Sequence, residues 1–275
     1  MRPSSLVLEN TMTKPDRRKI LQMTAAVGAS AISAGAHSAP PNEGGEQLFD
    51  VPRVAIPIVG SDRVFPVRRV YCIGRNYAAH ALERGSDPTR EPPFFFQKPT
   101  DAVQVVAKGQ TVEHPYPSLT KNYHHEIELV AALDKGGRDL TADQAMECVF
   151  GYAVGLDMTR RDLQNEMAAG KKPWEIGKSF DHSAVISYLH PAASVKRMDK
   201  GAITLKINGE IKQSSDISKM MWSVAEQISR LSAANELFPG DIIYSGTPEN
   251  VGPVLRGDVM VGHIDGLYDI SVKVV

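Results

Sequence analysis

Three carboxylates have the types and the spacing to hold a hard cation. Glu126 and Glu128 lie in the run Tyr123-His124-His125-Glu126-Ile127-Glu128-Leu129-Val130, and Asp157 ends the run Gly151-Tyr152-Ala153-Val154-Gly155-Leu156-Asp157. The first run predicts a strand, in which side chains alternate faces, so Glu126 and Glu128 share one face and Ile127 and Leu129 the other. Two carboxylates held side by side repel each other unless something positive sits between them, and a divalent cation with oxygen ligands is the simplest answer. An E-x-E pair is also common on solvated strand faces. The neighbours separate the two readings: Val130 and Ala132 continue the glutamate face, which therefore points toward something enclosed. Asp157 leaves a stretch too apolar for a surface strand, just ahead of a helical run over 160–168, and supplies a third ligand.

Composition sets the frame for those residues. A chain of 275 residues, 42% hydrophobic and 23% charged, can bury one sizeable core and form one or two domains. A net charge of −1 gives no basic footprint for nucleic acid. Cys72 falls in an apolar strand and Cys148 in an apolar helix, without C-x-x-C spacing, so both read as buried thiols. No apolar run in the body of the chain approaches a membrane span, which argues against a stable membrane anchor. The N-terminus reads differently. Asp16-Arg17-Arg18-Lys19 precedes a mildly apolar stretch over 23–32 and then Ala34-Gly35-Ala36. That order resembles a twin-arginine signal over residues 1–36, which predicts a periplasmic or exported protein that meets the twin-arginine machinery. The competing reading is a basic tail on a cytoplasmic protein.

The elements that must position the carboxylates follow from periodicity. Residues 37–66 read as a linker rich in Pro, Gly and Glu with a short element at 53–59. A strand at 70–73 leads to a helix over 77–84, closed by Gly85, then a polar loop over 86–93 and a strand at 94–98. Thr141 and Gln144 have capping-box spacing and open a helix to Phe150. Ile203, Leu205 and Ile207 alternate before Asn208-Gly209, a two-residue hairpin turn. Val224, Ile228 and Leu231 mark a helix face, and Tyr268, Ile270, Val272 and Val274 alternate along a last strand. Strands and helices do not alternate regularly, so a doubly wound parallel sheet is disfavoured. The expected class is α+β, a β-rich mixed sheet with peripheral helices.

Several motifs in one order then amount to a resemblance. They are Gly74-Arg75-Asn76-Tyr77-Ala78-Ala79-His80, Phe95-Phe96-Gln97-Lys98-Pro99, Glu126-Ile127-Glu128-Leu129, Asp157-Met158-Thr159-Arg160-Arg161-Asp162-Leu163-Gln164, Gly177-Lys178-Ser179-Phe180-Asp181 and Gly246-Thr247-Pro248. Together they resemble the fumarylacetoacetate hydrolase family in its acylpyruvate hydrolase branch. The run Asp87-Pro88-Thr89-Arg90-Glu91-Pro92-Pro93-Phe94 is similar to a loop of the fumarylpyruvate hydrolases of aromatic-acid breakdown.

The resemblance implies a β-sandwich roll over a catalytic domain at 67–275, and a homodimer. It implies Mg2+ or Mn2+ on Glu126, Glu128 and Asp157; the all-oxygen ligand set favours a hard cation over zinc and leaves Ca2+ open. The implied substrate is a 2,4-diketo acid, cleaved to pyruvate and a carboxylic acid. Lys178, Gln164, Arg75 and Thr247 match substrate-binding positions, with Lys178 also stabilising the enolate. His80 and Glu83 match a dyad that activates water on a lid helix; their spacing of three puts them on one helix face. Outside that setting, a His-x-x-Glu on a surface helix is an ordinary weak ion pair.

Other residues carry less. His124 and His125 point to opposite strand faces, so at most one can join the acidic pair, and local bonding is the simpler reading. Ser179 lacks a G-x-S-x-G elbow and reads as a hydrogen-bonding neighbour of Lys178. Asn250 stands where the family pattern often has glycine, in a turn that Asn tolerates. Met220-Met221-Trp222 suits an interface or the core. Decarboxylation or keto–enol tautomerisation of oxaloacetate would use the same metal and Lys178. A third class is an exported keto-acid binder without turnover, against which the intact triad and dyad argue.

Overall fold

Two strands that are apolar on both faces, Ile127–Leu133 and Val149–Asp157, pair antiparallel and are buried along almost their whole length. The structure, a computed structural model, describes residues 48–85 and 91–275. The signal read at 1–36, the linker as far as residue 47 and residues 86–90 of the predicted loop lie outside the described residues. Around the central pair an eight-stranded mixed sheet runs in the order Phe95–Lys98, Arg69–Ile73, Asp241–Tyr244, Ile127–Leu133, Val149–Asp157, Ala184–Ile186, Val103–Val105, with His190–Pro191 also on Val149–Asp157. The pairs Arg69–Ile73 with Asp241–Tyr244 and Ala184–Ile186 with Val103–Val105 are parallel.

A five-stranded sheet packs against it in the order Glu210–Asp216, Ala202–Ile207, Val259–Ile264, Ile270–Val274, Thr111–His114. Its first turn follows the sequence: Asn208 and Gly209 sit at φ 51° and 86°, as a two-residue hairpin loop requires. Ile127, Leu129 and Leu156 from the larger sheet meet Leu205, Met260 and Ile270 from the smaller one in the main core. Val130, Ala132, Val70, Ile242 and Tyr244 fill a second core on the other face of the larger sheet, covered by the hairpin Ala55–Pro57 and Val64–Pro66 through Ile56 and Phe65. These units all belong to one compact body spanning Val51–Val275.

Helices are short and peripheral, giving the mixed α+β class with a curled sheet. The capping box at Thr141 and Gln144 forms as expected, and Ser223 with Glu226 makes a second. The helix it opens is shorter than the sequence predicts: it covers Ala142–Glu147, with Cys148 at its C-cap, and does not reach Phe150. Val149 pairs with Leu133, and the Phe150 ring stacks on Phe65 at 5.6 Å, so the sheet recruits both residues. The helix expected at 160–168 is Arg161–Ala169, and Phe94 lies outside the strand Phe95–Lys98.

Candidate active site and metal centre

The alternation along residues 126–132 does what the spacing predicts, with one break. Tyr123–His125 leaves the main sheet to pair with Thr159–Arg160 and Gly252–Pro253, so Glu126 sits at a joint between two strands instead of inside one. Ile127 and Leu129 enter the core between the sheets, and Glu128 keeps step with Val130 and Ala132 on the opposite face. The Asp157 N–H donates to the Glu126 carbonyl at 2.9 Å, which brings the end of the neighbouring strand alongside. Oxygens of Glu126, Glu128 and Asp157 consequently lie within 4.8 Å of one another, each side chain buried.

Lys178 arrives from the short helix Glu175–Lys178. That helix lies so close to Arg161–Ala169 that a Cβ at Gly177 would meet Gln164 at 2.8 Å, and only glycine permits the approach. Its Nζ donates to Glu126 Oε2 and Asp157 Oδ2 at 2.8 Å each and to Thr159 Oγ1 at 2.7 Å. Burial disfavours the ammonium, but the Asp157 and Glu126 charges outweigh it and hold Lys178 above its ordinary value. Arg161 Nη2 donates to Glu126 Oε1. Lys98 Nζ lies 2.8 Å from Asp157 Oδ1 as an ion pair whose angle does not make a hydrogen bond, and among the described residues that oxygen has no hydrogen-bond donor.

Glu128 is treated differently. Among the described residues it receives only the Gly246 N–H, at 2.7 Å. Burial, then the charges of Asp157 and Glu126, push its carboxyl well above the usual range. A buried oxygen without a donor and a carboxylate without its own cation, in an all-oxygen set, mark a site one hard cation short. The three residues therefore fit a divalent metal ion.

Beside this floor, His80 Nδ1 lies 3.1 Å from Glu83 Oε2 on the helix Ala78–Glu83. Burial opposes the Glu83 charge, but the His80 bond and the backbone N–H groups of Asn250 and Val251 outweigh it and keep the carboxyl below its ordinary value. An ionised Glu83 accepts from Nδ1–H, which leaves Nε2 of the neutral ring as the proton acceptor. His80, Arg75, Gln164, Thr247 and Lys178 line one solvent-open cleft with Glu126 and Glu128. Thr247 is steadied by Gln213, which donates to its Oγ1 at 2.9 Å and bonds His125 on its other side. Asn250 adopts φ 66°, so the turn that departs from glycine survives with asparagine.

His124 bonds Asn122 and Arg161 and is not a ligand of the acidic set; burial, then Arg161, lower it to about 3. Ser179 donates to the Gln97 carbonyl at 2.7 Å, a structural bond. Sequence reasoning passed over Arg161 and Lys98 as charge partners of the floor. Each stood inside a quoted motif; a Lys between aromatic residues and a proline, in a strand, was the available signal.

Residues 69–275 match the family model for the fumarylacetoacetate (FAA) hydrolase C-terminal domain. The chain belongs to the fumarylacetoacetate hydrolase family. A fumarylpyruvate hydrolase from a Ralstonia species is 44% identical over 193 residues, covering 70% of this chain and 98% of the relative. The human mitochondrial oxaloacetate tautomerase FAHD1 is 38% identical over 207 residues, covering 75% and 91%. Among solved structures, the fumarylpyruvate hydrolase of Pseudomonas aeruginosa in complex with Mn2+ and pyruvate superposes with a TM-score of 0.82 at 59% identity, covering 84% of this chain and 99% of that one. The family's characteristic fold is the mixed α+β roll described above.

Proposed function

We propose that the protein is a divalent-metal-dependent hydrolase that cleaves the carbon–carbon bond of an acylpyruvate, fumarylpyruvate in particular, to pyruvate and a carboxylic acid. The observation that carries this reading is the meeting of three buried carboxylates, Lys178 and the His80–Glu83 pair in one cleft. The fumarylpyruvate hydrolase relatives at 44% and 59% identity support the substrate class. Mg2+ or Mn2+ held by Glu126, Glu128 and Asp157 supplies Lewis-acid stabilisation for the enolate charge that develops as the bond breaks.

The chain's own residues do the rest. His80 Nε2 accepts a proton from water as the water oxygen bonds to the acyl carbonyl carbon. Glu83 orients the ring and stabilises its cation. As the bond between that carbon and C3 breaks, its electron pair passes into the pyruvyl fragment, whose oxygen charge Lys178 attracts. The proton held by His80 goes to C3, completing pyruvate. Gln164, Thr247 and Arg75 offer hydrogen bonds that fix the substrate in the cleft.

Tautomerisation or decarboxylation of oxaloacetate is the second reading, the first supported by the FAHD1 tautomerase relatives and the second by an oxaloacetate decarboxylase relative. Both enolate chemistries use the floor without needing water. Export by the twin-arginine route, a role in aromatic-acid breakdown and a homodimer belong to the same proposal. They rest on the Arg17-Arg18 signal and on the family resemblance. A panel of acylpyruvates and oxaloacetate, assayed with purified protein and Mg2+ or Mn2+, tests the activity. Stoichiometric pyruvate release from fumarylpyruvate is expected, and turnover of oxaloacetate alone would replace this reading with the second one.

A further inference from the structure

Arg84 directly follows the dyad residue Glu83, at the C-cap of the helix Ala78–Glu83, and its side chain lines the same cleft. Its Nη2 donates to Asn165 Oδ1 at 2.6 Å, which fixes the guanidinium against the helix Arg161–Ala169. Among the described residues nothing else bonds it, so one edge of a fork of five N–H donors is anchored and the other edge meets no partner within that part of the chain. Arg75, on the same wall, lies over the rings of Phe94 and Trp174 at 5.7 and 5.8 Å and likewise meets no carboxylate among the described residues. Its backbone sits at φ 55°, a conformation that a side-chain-bearing residue keeps only where the surroundings impose it.

Three guanidiniums, those of Arg75, Arg84 and Arg161, thus share one cleft, and among the described residues only Arg161 has a carboxylate partner, that of Glu126. The crowding has a cost. Half-burial, then the nearby charge of Arg161, lower Arg84 below its ordinary value; Arg75 adds to this, and the Glu126 and Glu83 carboxylates oppose it in part. Like charges arranged this way are stabilised when an anion enters between them. In the reading above, the pyruvyl end of an acylpyruvate has its own partners at the floor, in Lys178, Gln164 and the cation that the acidic triad would hold. Arg84 and Arg75 line the same cleft without an ion pair to the floor carboxylates among the described residues, which leaves them to meet an anion at the other end of the ligand.

We infer that Arg84 binds a carboxylate at the far end of the acyl group, so that the site selects acylpyruvates whose acyl part is itself an acid over those whose acyl part is neutral. This rests on the acylpyruvate reading above and names the residue that sets its specificity. A planar fork anchored on one edge is suited to bidentate carboxylate recognition.

The test compares purified wild type, Arg84→Met and Arg84→Lys, with Mn2+, on fumarylpyruvate and on its methyl ester at the fumaroyl carboxylate. The readout is the ratio of the two kcat/KM values. Arg84→Met should lower that ratio about 10- to 100-fold, the strength of a hydrogen bond to a charged group, chiefly through KM. Arg84→Lys should restore part of it. If Arg84 is only a latch onto Asn165, both substrates suffer equally and the ratio does not move, which overturns the assignment. If wild type cleaves neither compound, the hydrolase reading falls by itself. Calorimetric titration of the same two compounds into the same three proteins then decides: a falling ratio of Kd values in Arg84→Met supports the assignment, and an unchanged ratio overturns it.

Discussion

Glu126, Glu128 and Asp157 hang from or beside two strands locked in one ladder and buried on both faces, whereas His80 and Glu83 ride on a helix of six residues with no side-chain cap and an exposed Leu82. The contrast follows from what each set must do. Three carboxylates repel, and only a rigid, buried frame can hold them at ligand spacing; Lys178, Arg161 and Lys98 keep the arrangement folded. Water activation needs the reverse, a base beside an opening through which substrate and protons pass. The dyad is accordingly tied down lightly, by the Asn250 N–H to Glu83 and by Arg84 to Asn165.

The sharpest way to break this comparison is at the floor. Glu126→Gln, Glu128→Gln or Asp157→Asn should each lower kcat/KM for fumarylpyruvate by more than about 10³-fold, because Lewis-acid stabilisation is worth several kcal/mol. The wild type should gain about 2.7 kcal/mol of stability from Mn2+ at a hundredfold excess over Kd, and the variants should lose that gain. Full activity in chelator-treated wild type would remove the metal from the account.

The dyad should prove selective where the floor is not. His80→Ala is expected to slow hydrolysis about 10²- to 10⁴-fold, the usual size of general-base catalysis, with a smaller change in KM. Glu83→Gln should cost less, since only the orientation of the ring weakens. Any oxaloacetate decarboxylation should fall less than hydrolysis in His80→Ala, while Lys178→Ala damages both. Equal losses in His80→Ala would turn the histidine into a closing or positioning group.

Acid should also weaken the frame. His114, sealed between Gln104 and Tyr123, resists protonation down to about 4 from an ordinary 6.5, because burial disfavours its charge and His182 adds to this. Between those values the unfolded chain binds more protons than the folded one. Stability contributed by His114 is therefore complete above pH 6.5 and falls as the pH drops toward 4, by about 3 kcal/mol at 1.36 kcal/mol per unit. Urea midpoints at pH 7 and pH 4.5 should diverge less for His114→Gln than for wild type.

The mildest change lies in the turn that steadies the dyad. Asn250→Gly keeps the N–H that Glu83 accepts and relieves a left-handed residue, so stability should shift by less than about 1 kcal/mol. A large loss of hydrolysis on that change, read beside thermal melting, would give the Asn250 side chain a role of its own.

The parts of this site that could be read in the sequence are those set by local periodicity. Alternation placed Glu128 with Val130 and Ala132, a spacing of three put His80 against Glu83, and the capping box at Thr141 opened its helix where expected. What stayed hidden depends on distant segments. Lys98 reaches Asp157 across the sheet, Arg161 turns back to Glu126, and Gln213 crosses from the second sheet to Thr247. The end of the helix Ala142–Glu147 was misjudged for the same reason, since the pairing with Leu133 and the stacking on Phe65 claim the next residues. The motifs of the family resemblance named most of the site directly, but not which residues neutralise one another.

The parallel pairing of Arg69–Ile73 with Asp241–Tyr244 sends both chains out at the same end of the sheet. The loops that follow, Gly74-Arg75-Asn76 and Ser245-Gly246-Thr247, emerge side by side as two walls of the cleft. Asn76 joins them: its side-chain amide donates to the Ser245 and Trp222 carbonyls at 2.8 and 2.9 Å, and Gly246, at φ 93°, packs so tightly on it that a Cβ would come within 2.6 Å. Through Asn76 the two loops form one structural cassette. A lineage can remodel it jointly to accept a new acyl group while the acidic frame underneath stays fixed, and grafting one loop between relatives without the other should fail where grafting both succeeds.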